Sequence, residues 1–164
     1  MIGRIRTTLL LAAAAVSVAA CGFRPLYGDP AVTEGMRSIA IVTPQTRTGY
    51  LLREQLRDQL AMTGAIDKPR YRLTVAIQER RRPRGLNPDD TPTRYELRLD
   101  LTYTLAEAEG GKVILKGARP VFISSEAVVQ PYASITAQQD SEERAATEAA
   151  TIIRTEIAQV LAAK

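Results

Sequence analysis

The chain has 164 residues, 45% hydrophobic and 24% charged, a balance that gives one globular domain with a real core and excludes a disordered chain. It has no histidine, no tryptophan and one cysteine, which excludes an intramolecular disulfide and a Cys-rich zinc site and removes the commonest general base. The formal charge of +4 falls to about +2 once Arg4 and Arg6 are set aside with the N-terminal leader, too little to point to nucleic acid.

Met1 to Arg6 carries two arginines and no acid, and Thr7 to Ala20 is then small or apolar throughout. That run, about 14 residues, is short of the roughly 20 that a transmembrane helix needs. A positive segment followed by a short apolar one is the pattern of a secretory signal peptide, here residues 1–20. Val18-Ala19-Ala20-Cys21 resembles the bacterial lipobox. The resemblance implies cleavage before Cys21, a diacylglycerol on its thiol and a fatty acyl group on the new amine. Each buried CH₂ contributes about 0.8 kcal/mol, and more than one chain is needed for a stable anchor. Gly22 stands where an aspartate would signal retention at the inner membrane in enterobacterial lipoproteins, which favours the outer membrane. Gly22 to Gly35 contains Pro25, Gly28 and Pro30 and reads as an extended tether. Residues 21–37 are therefore expected to form the lipidated N-terminus and tether, and residues 38–164 a single domain.

Ser38 to Thr43 is short and β-branched and stops at Pro44, a first strand. From Thr48 to Thr63 the period is near 3.6: Leu51, Leu52, Leu56, Leu60 and Ala61 face one side, Arg53, Glu54, Arg57 and Asp58 the other. This predicts an amphipathic helix stopped at Gly64. Arg70 to Arg80 alternates, with Tyr71, Leu73, Val75 and Ile77 on one face. Thr93 to Ala106 alternates more strongly, setting Tyr95, Leu97, Leu99, Leu101, Tyr103 and Leu105 against Glu96, Arg98, Asp100, Thr102 and Thr104. Both are strands with one buried and one wet face. Gly110-Gly111 predicts a hairpin, and Lys112 to Ser125 the return strand, interrupted near Gly117 and Pro120, with Pro120 at an edge or a bulge. Ser134 to Lys164 has an apolar stripe through Ala146, Ala149, Ile153, Ile157 and Val160 and predicts a long helix with a break near Ser141. The expected fold is α+β, in the order β-α-β-β-β-α, with two helices on one face of a mostly antiparallel four-stranded sheet.

No catalytic constellation stands out. Serine lacks a histidine partner, and no glycine-rich phosphate loop precedes a helix. Asp89-Asp90 and Glu142-Glu143 read as solvated charges. The unusual cluster is Glu79-Arg80-Arg81-Arg82-Pro83-Arg84, expected to end a strand and open a loop through Asn87, Pro88, Asp89, Asp90 and Pro92 to Arg94. Arginines so close repel one another unless an anion is near, and the planar guanidinium pairs with phosphate through two hydrogen bonds at once. Arg80, Arg81, Arg82 and Arg84 thus point either to a phosphorylated lipid or acidic partner, or to a solvated loop balanced by Asp89 and Asp90.

Cys21-Gly22-Phe23-Arg24-Pro25-Leu26-Tyr27-Gly28 resembles the mature start of the LptE family of lipopolysaccharide-assembly lipoproteins in its alphaproteobacterial form. Length, element order and an Ala/Glu/Arg-rich closing helix agree with that family. The resemblance implies a lipid-anchored protein on the periplasmic side of the outer membrane, seated as plug and assembly factor in the LptD β-barrel. It also implies binding of lipopolysaccharide, no cofactor and no enzymatic activity. The alternative is an auxiliary lipoprotein of another envelope system, such as an ABC-type lipid transporter. A lipid-anchored periplasmic enzyme is disfavoured by the absence of histidine.

Overall fold

The computed structural model describes residues 30–62, 64, 66–128 and 130–163. The expected signal peptide and the lipidation site Cys21 lie outside the described residues. The part of the expected tether that is described is not extended: Pro30–Arg37 is a helix, α1. Proline suits the first helical position, where its missing N–H has no partner to lose, and Val32 and Met36 enter the core.

Four strands follow, β1 (Ile39–Val42), β2 (Tyr71–Leu86), β3 (Pro92–Glu107) and β4 (Val113–Glu126). They lie side by side in chain order. The short β1 runs parallel to β2 over Tyr71 to Thr74, and the other pairs are antiparallel. The parallel pair is joined through helix α2 (Arg47–Gln59), and helix α3 (Pro131–Ala162) closes the chain. After α1 the order is the expected β-α-β-β-β-α.

Thr46 caps α2, its hydroxyl accepting from the Gly49 amide at 3.1 Å. Leu52, Leu56 and Leu60 are fully buried, whereas Leu51 is half-buried and Ala61 exposed. The helix stops before Gly64. Met62 N–H donates to Arg57 O and Ala61 N–H to Asp58 O, both at 3.0 Å, with Ala61 in the left-handed region at φ 51°. That is a Schellman ending with alanine where glycine is usual.

One sheet face carries Tyr71, Leu73 and Val75, then Leu97, Leu99, Leu101, Tyr103 and Leu105, then Val121 and Ile123, all buried with α2 and α3. Ala145, Ala146, Ala149, Ala150 and Ala158 of α3 are wholly buried, and their small side chains let the helix close on its neighbours. The expected break near Ser141 does not occur. The Ser141 hydroxyl donates back to Ala137 O at 2.7 Å, which satisfies it within an unbroken helix. Glu142 is also not a solvated charge. It is 5% exposed and receives Arg47 Nε at 2.8 Å and Gln138 Nε2 at 3.0 Å, whereas Glu143 is exposed. The expected interruption near Gly117 and Pro120 does not occur: β4 runs unbroken through both, because Pro120 sits on an outer strand of the sheet, where proline is tolerated, and the irregularity in the β3–β4 ladder falls at Leu105 and Ala106.

The largest departure is the expected loop from Arg82 to Arg94, most of which is hairpin strand. β2 pairs with β3 through Arg84↔Arg94 and Leu86↔Pro92, leaving only Asn87 to Thr91 as a turn. Asp90 N–H donates to Asn87 O and Asn87 N–H to Thr91 O, and Asp90 takes φ 61°. Asp89 accepts from both the hydroxyl and the amide of Thr91. Proline is tolerated at Pro83 because β1 covers β2 only to Thr74 and leaves that edge open.

Candidate functional site: an arginine ladder on the uncovered sheet face

Side chains alternate across a strand, so the hairpin sorts the arginine run onto two faces. Arg80, Arg82 and Arg84 stand on the face that the helices leave uncovered. The register sets Arg98 opposite Arg80, Glu96 opposite Arg82 and Arg94 opposite Arg84. Arg81 falls on the other face. Its guanidinium lies 4.2 Å from the Tyr95 ring centroid and donates to Gln138 Oε1 of α3 at 2.8 Å. Of the four arginines singled out in the sequence, three come together and Arg81 instead ties the hairpin to α3.

Like charges directly opposite one another on a sheet are destabilising, and the ladder holds two such pairs, Arg80 with Arg98 and Arg84 with Arg94. Two carboxylates offset part of this. Asp100 Oδ1 accepts from Arg98 Nε at 2.9 Å and Nη2 at 2.7 Å, and Asp100 Oδ2 lies 4.0 Å from Arg80. These hydrogen bonds hold the Asp100 carboxyl below the usual carboxylate range and raise Arg98 above its ordinary value. Glu96 accepts from Arg84 Nη2 at 2.9 Å. Among the described residues Arg82 and Arg94 have no ion-pair partner. Asp89 forms no ion pair with the run: its Oδ1 accepts from the Thr91 amide and hydroxyl within the turn, and these hydrogen bonds hold its carboxyl below the usual carboxylate range.

Arg80, Arg82, Arg84, Glu96, Arg98 and Phe122 together line a cleft of about 140 Å³. Phe122, opposite Arg98 on β4, is 48% exposed, and the Arg98 guanidinium lies 5.2 Å from its ring centroid. Sequence reading missed Arg98, Arg94 and Phe122 as members of this group. The signal was present in the alternation of β3, but only the register shows which wet-face residues meet the arginine run. A larger groove of about 710 Å³ opens at the other end of the sheet, beside Gly35, Tyr71 and Leu161. Its Lys68 and Arg70 are matched by Glu107 and Glu109, so it carries no surplus of one charge. Among the described residues no group of acidic, cysteine or histidine side chains could hold a metal, and no helix is long and apolar enough to cross a membrane.

Comparison with known proteins bears on the family and the fold. The family model for LptE, described as lipopolysaccharide-assembly, matches residues 36–159. A solved structure from Caulobacter crescentus CB15, a candidate lipoprotein, is 41% identical, covering 80% of this chain and 96% of that one, with a TM-score of 0.70. A minor lipoprotein from Acinetobacter baumannii shares the fold at 19% identity and TM-score 0.58, over 74% of this chain and 90% of its own. The rare lipoprotein B of Shewanella oneidensis does so at 16% identity and TM-score 0.57, over 74% and 93%. No curated protein matches the sequence.

Proposed function

The chain belongs to the LptE lipopolysaccharide-assembly family, and from that premise we propose that it is an outer-membrane lipoprotein that binds lipopolysaccharide through the arginine ladder and works in complex with the LptD β-barrel. The family is non-enzymatic and serves lipopolysaccharide assembly. On this reading Cys21 carries the lipid, the domain sits on the periplasmic side of the outer membrane, and the barrel receives it as plug and assembly factor. The lipobox-like Val18 to Cys21 and the candidate-lipoprotein relative from Caulobacter support the anchor.

The observation that carries the lipopolysaccharide reading is the surplus of guanidinium groups on the uncovered face. Among the described residues, the carboxylates that Arg80, Arg82, Arg84 and Arg98 meet there are Glu96 and Asp100 alone. Phosphate groups would supply the missing negative charge, and charge-assisted forks to phosphate are among the stronger hydrogen bonds. Affinity purification of the intact lipoprotein from detergent-solubilised membranes tests the partner. Recovery of a large β-barrel in about equal amount is expected. Recovery of inner-membrane transporter subunits in its place would overturn the assignment in favour of another envelope transport system.

A further inference from the structure

We propose that the cleft between Arg82 and Phe122 is a saccharide subsite, which takes one acidic or phosphorylated sugar ring of the lipopolysaccharide headgroup rather than a bare phosphate or an acyl chain. The inference rests on the lipopolysaccharide reading above and says which part of the molecule the site recognises.

Size is the first argument. A volume of about 140 Å³ is well below the roughly 300–1,000 Å³ of sites for larger ligands, and suits a single ring-sized group. Composition is the second. Phe122 is half-exposed on a largely polar sheet face, without a helix above it, and its neighbours on that face of β4 are Pro120 and Ser124. An exposed aromatic ring offers a flat apolar surface, which the C–H face of a sugar can cover. The acceptor Glu96 is the third. A site for inorganic phosphate alone gains nothing from a carboxylate in its lining, because the two repel. A carboxylate does accept hydrogen bonds from hydroxyls, and Glu96 is oriented for this by Arg84 at 2.9 Å. Arg82, directly across the ladder from Glu96 and without an ion-pair partner among the described residues, is the donor left for the acidic substituent. Acyl chains find little here, since Phe122 is the one apolar side chain in the lining.

The test uses the full mature lipoprotein in detergent micelles and isothermal titration calorimetry. Its probes are intact lipopolysaccharide, its deacylated phosphorylated oligosaccharide, inorganic phosphate and phosphatidylglycerol micelles. The deacylated oligosaccharide is expected to bind at least about tenfold more tightly than inorganic phosphate. Phe122→Ala, at an exposed position that leaves the core intact, should weaken that binding about tenfold, and Phe122→Tyr should restore it. Arg82→Ser should weaken it and reduce its salt dependence. Unchanged oligosaccharide binding by Phe122→Ala overturns the saccharide subsite. So does binding of intact lipopolysaccharide and phosphatidylglycerol without binding of the oligosaccharide, an outcome that leaves the broader reading standing. Absence of binding to intact lipopolysaccharide overturns both.

Discussion

The phenol of Tyr103 is 1% exposed, its ring lies over Gly117 on β4, and its hydroxyl donates to Glu156 Oε2 of α3 at 2.5 Å. A Cβ at position 117 would overlap that ring, so the glycine is there for close approach rather than for flexibility. Arg119 Nε donates to the other oxygen of Glu156 at 2.9 Å, which makes a three-residue clasp of β3, β4 and α3. Burial, then the hydrogen bond to Glu156, raises the pKa of the phenol far above its ordinary value. The sign of the pH effect follows. An unfolded phenol ionises near pH 10, about where the folded one still holds its proton. The stability from this group is complete below about pH 10 and is lost as the pH rises further. Denaturant midpoints measured from about pH 8 to about pH 11 should therefore fall more steeply for the native protein than for Tyr103→Phe. At neutral pH the same substitution should cost about 1.5–3 kcal/mol, the worth of a hydrogen bond to a charged group.

At the scale of elements, α2 ends on a strained residue. Ala61 occupies the left-handed position of the Schellman ending, which costs an L-residue with a Cβ about 1 kcal/mol. Ala61→Gly is expected to raise stability by about 0.5–1 kcal/mol, read as a higher thermal midpoint, and an unchanged or lower midpoint would refute the argument. The sequence showed a stop signal at Gly64 because glycine is the visible one, and the hydrogen bonds that end the helix earlier leave no trace in composition. The two long alternating rows, by contrast, were legible throughout, since a period of 2 is written in residue type. The arginine hairpin was not. Charged residues and a proline imitate a loop, and only pairing with β3 reveals that β2 continues to Leu86. Arg80, Arg82 and Arg84 were therefore recognisable as a cluster, while the turning away of Arg81 and the arrival of Arg98 and Phe122 depend on register. Helix α1 was hidden for a similar reason: prolines and glycines around it suggested a tether, although Pro30 opens the helix.

For the molecule as a whole, the arginine ladder and the start of the described chain lie at opposite ends of the sheet. Gly35 of α1 packs near Tyr71 at the beginning of β2, and Arg84 is 13 residues farther along that strand, roughly 43 Å at the usual rise. Cys21→Ser should abolish incorporation of radioactive fatty acid into the protein, and persistent labelling would defeat the lipoprotein reading. The chain-order arrangement of the strands has a kinetic consequence as well. Each antiparallel pair closes over a short turn, so little loop entropy stands against forming the β2–β3–β4 meander. Helix α3 is different, because Arg47 and Glu142 meet across 95 residues of sequence. The meander is expected to form early in refolding and the docking of α3 on α2 to come last, so that Arg47→Ala should chiefly accelerate unfolding and leave the folding rate almost unchanged.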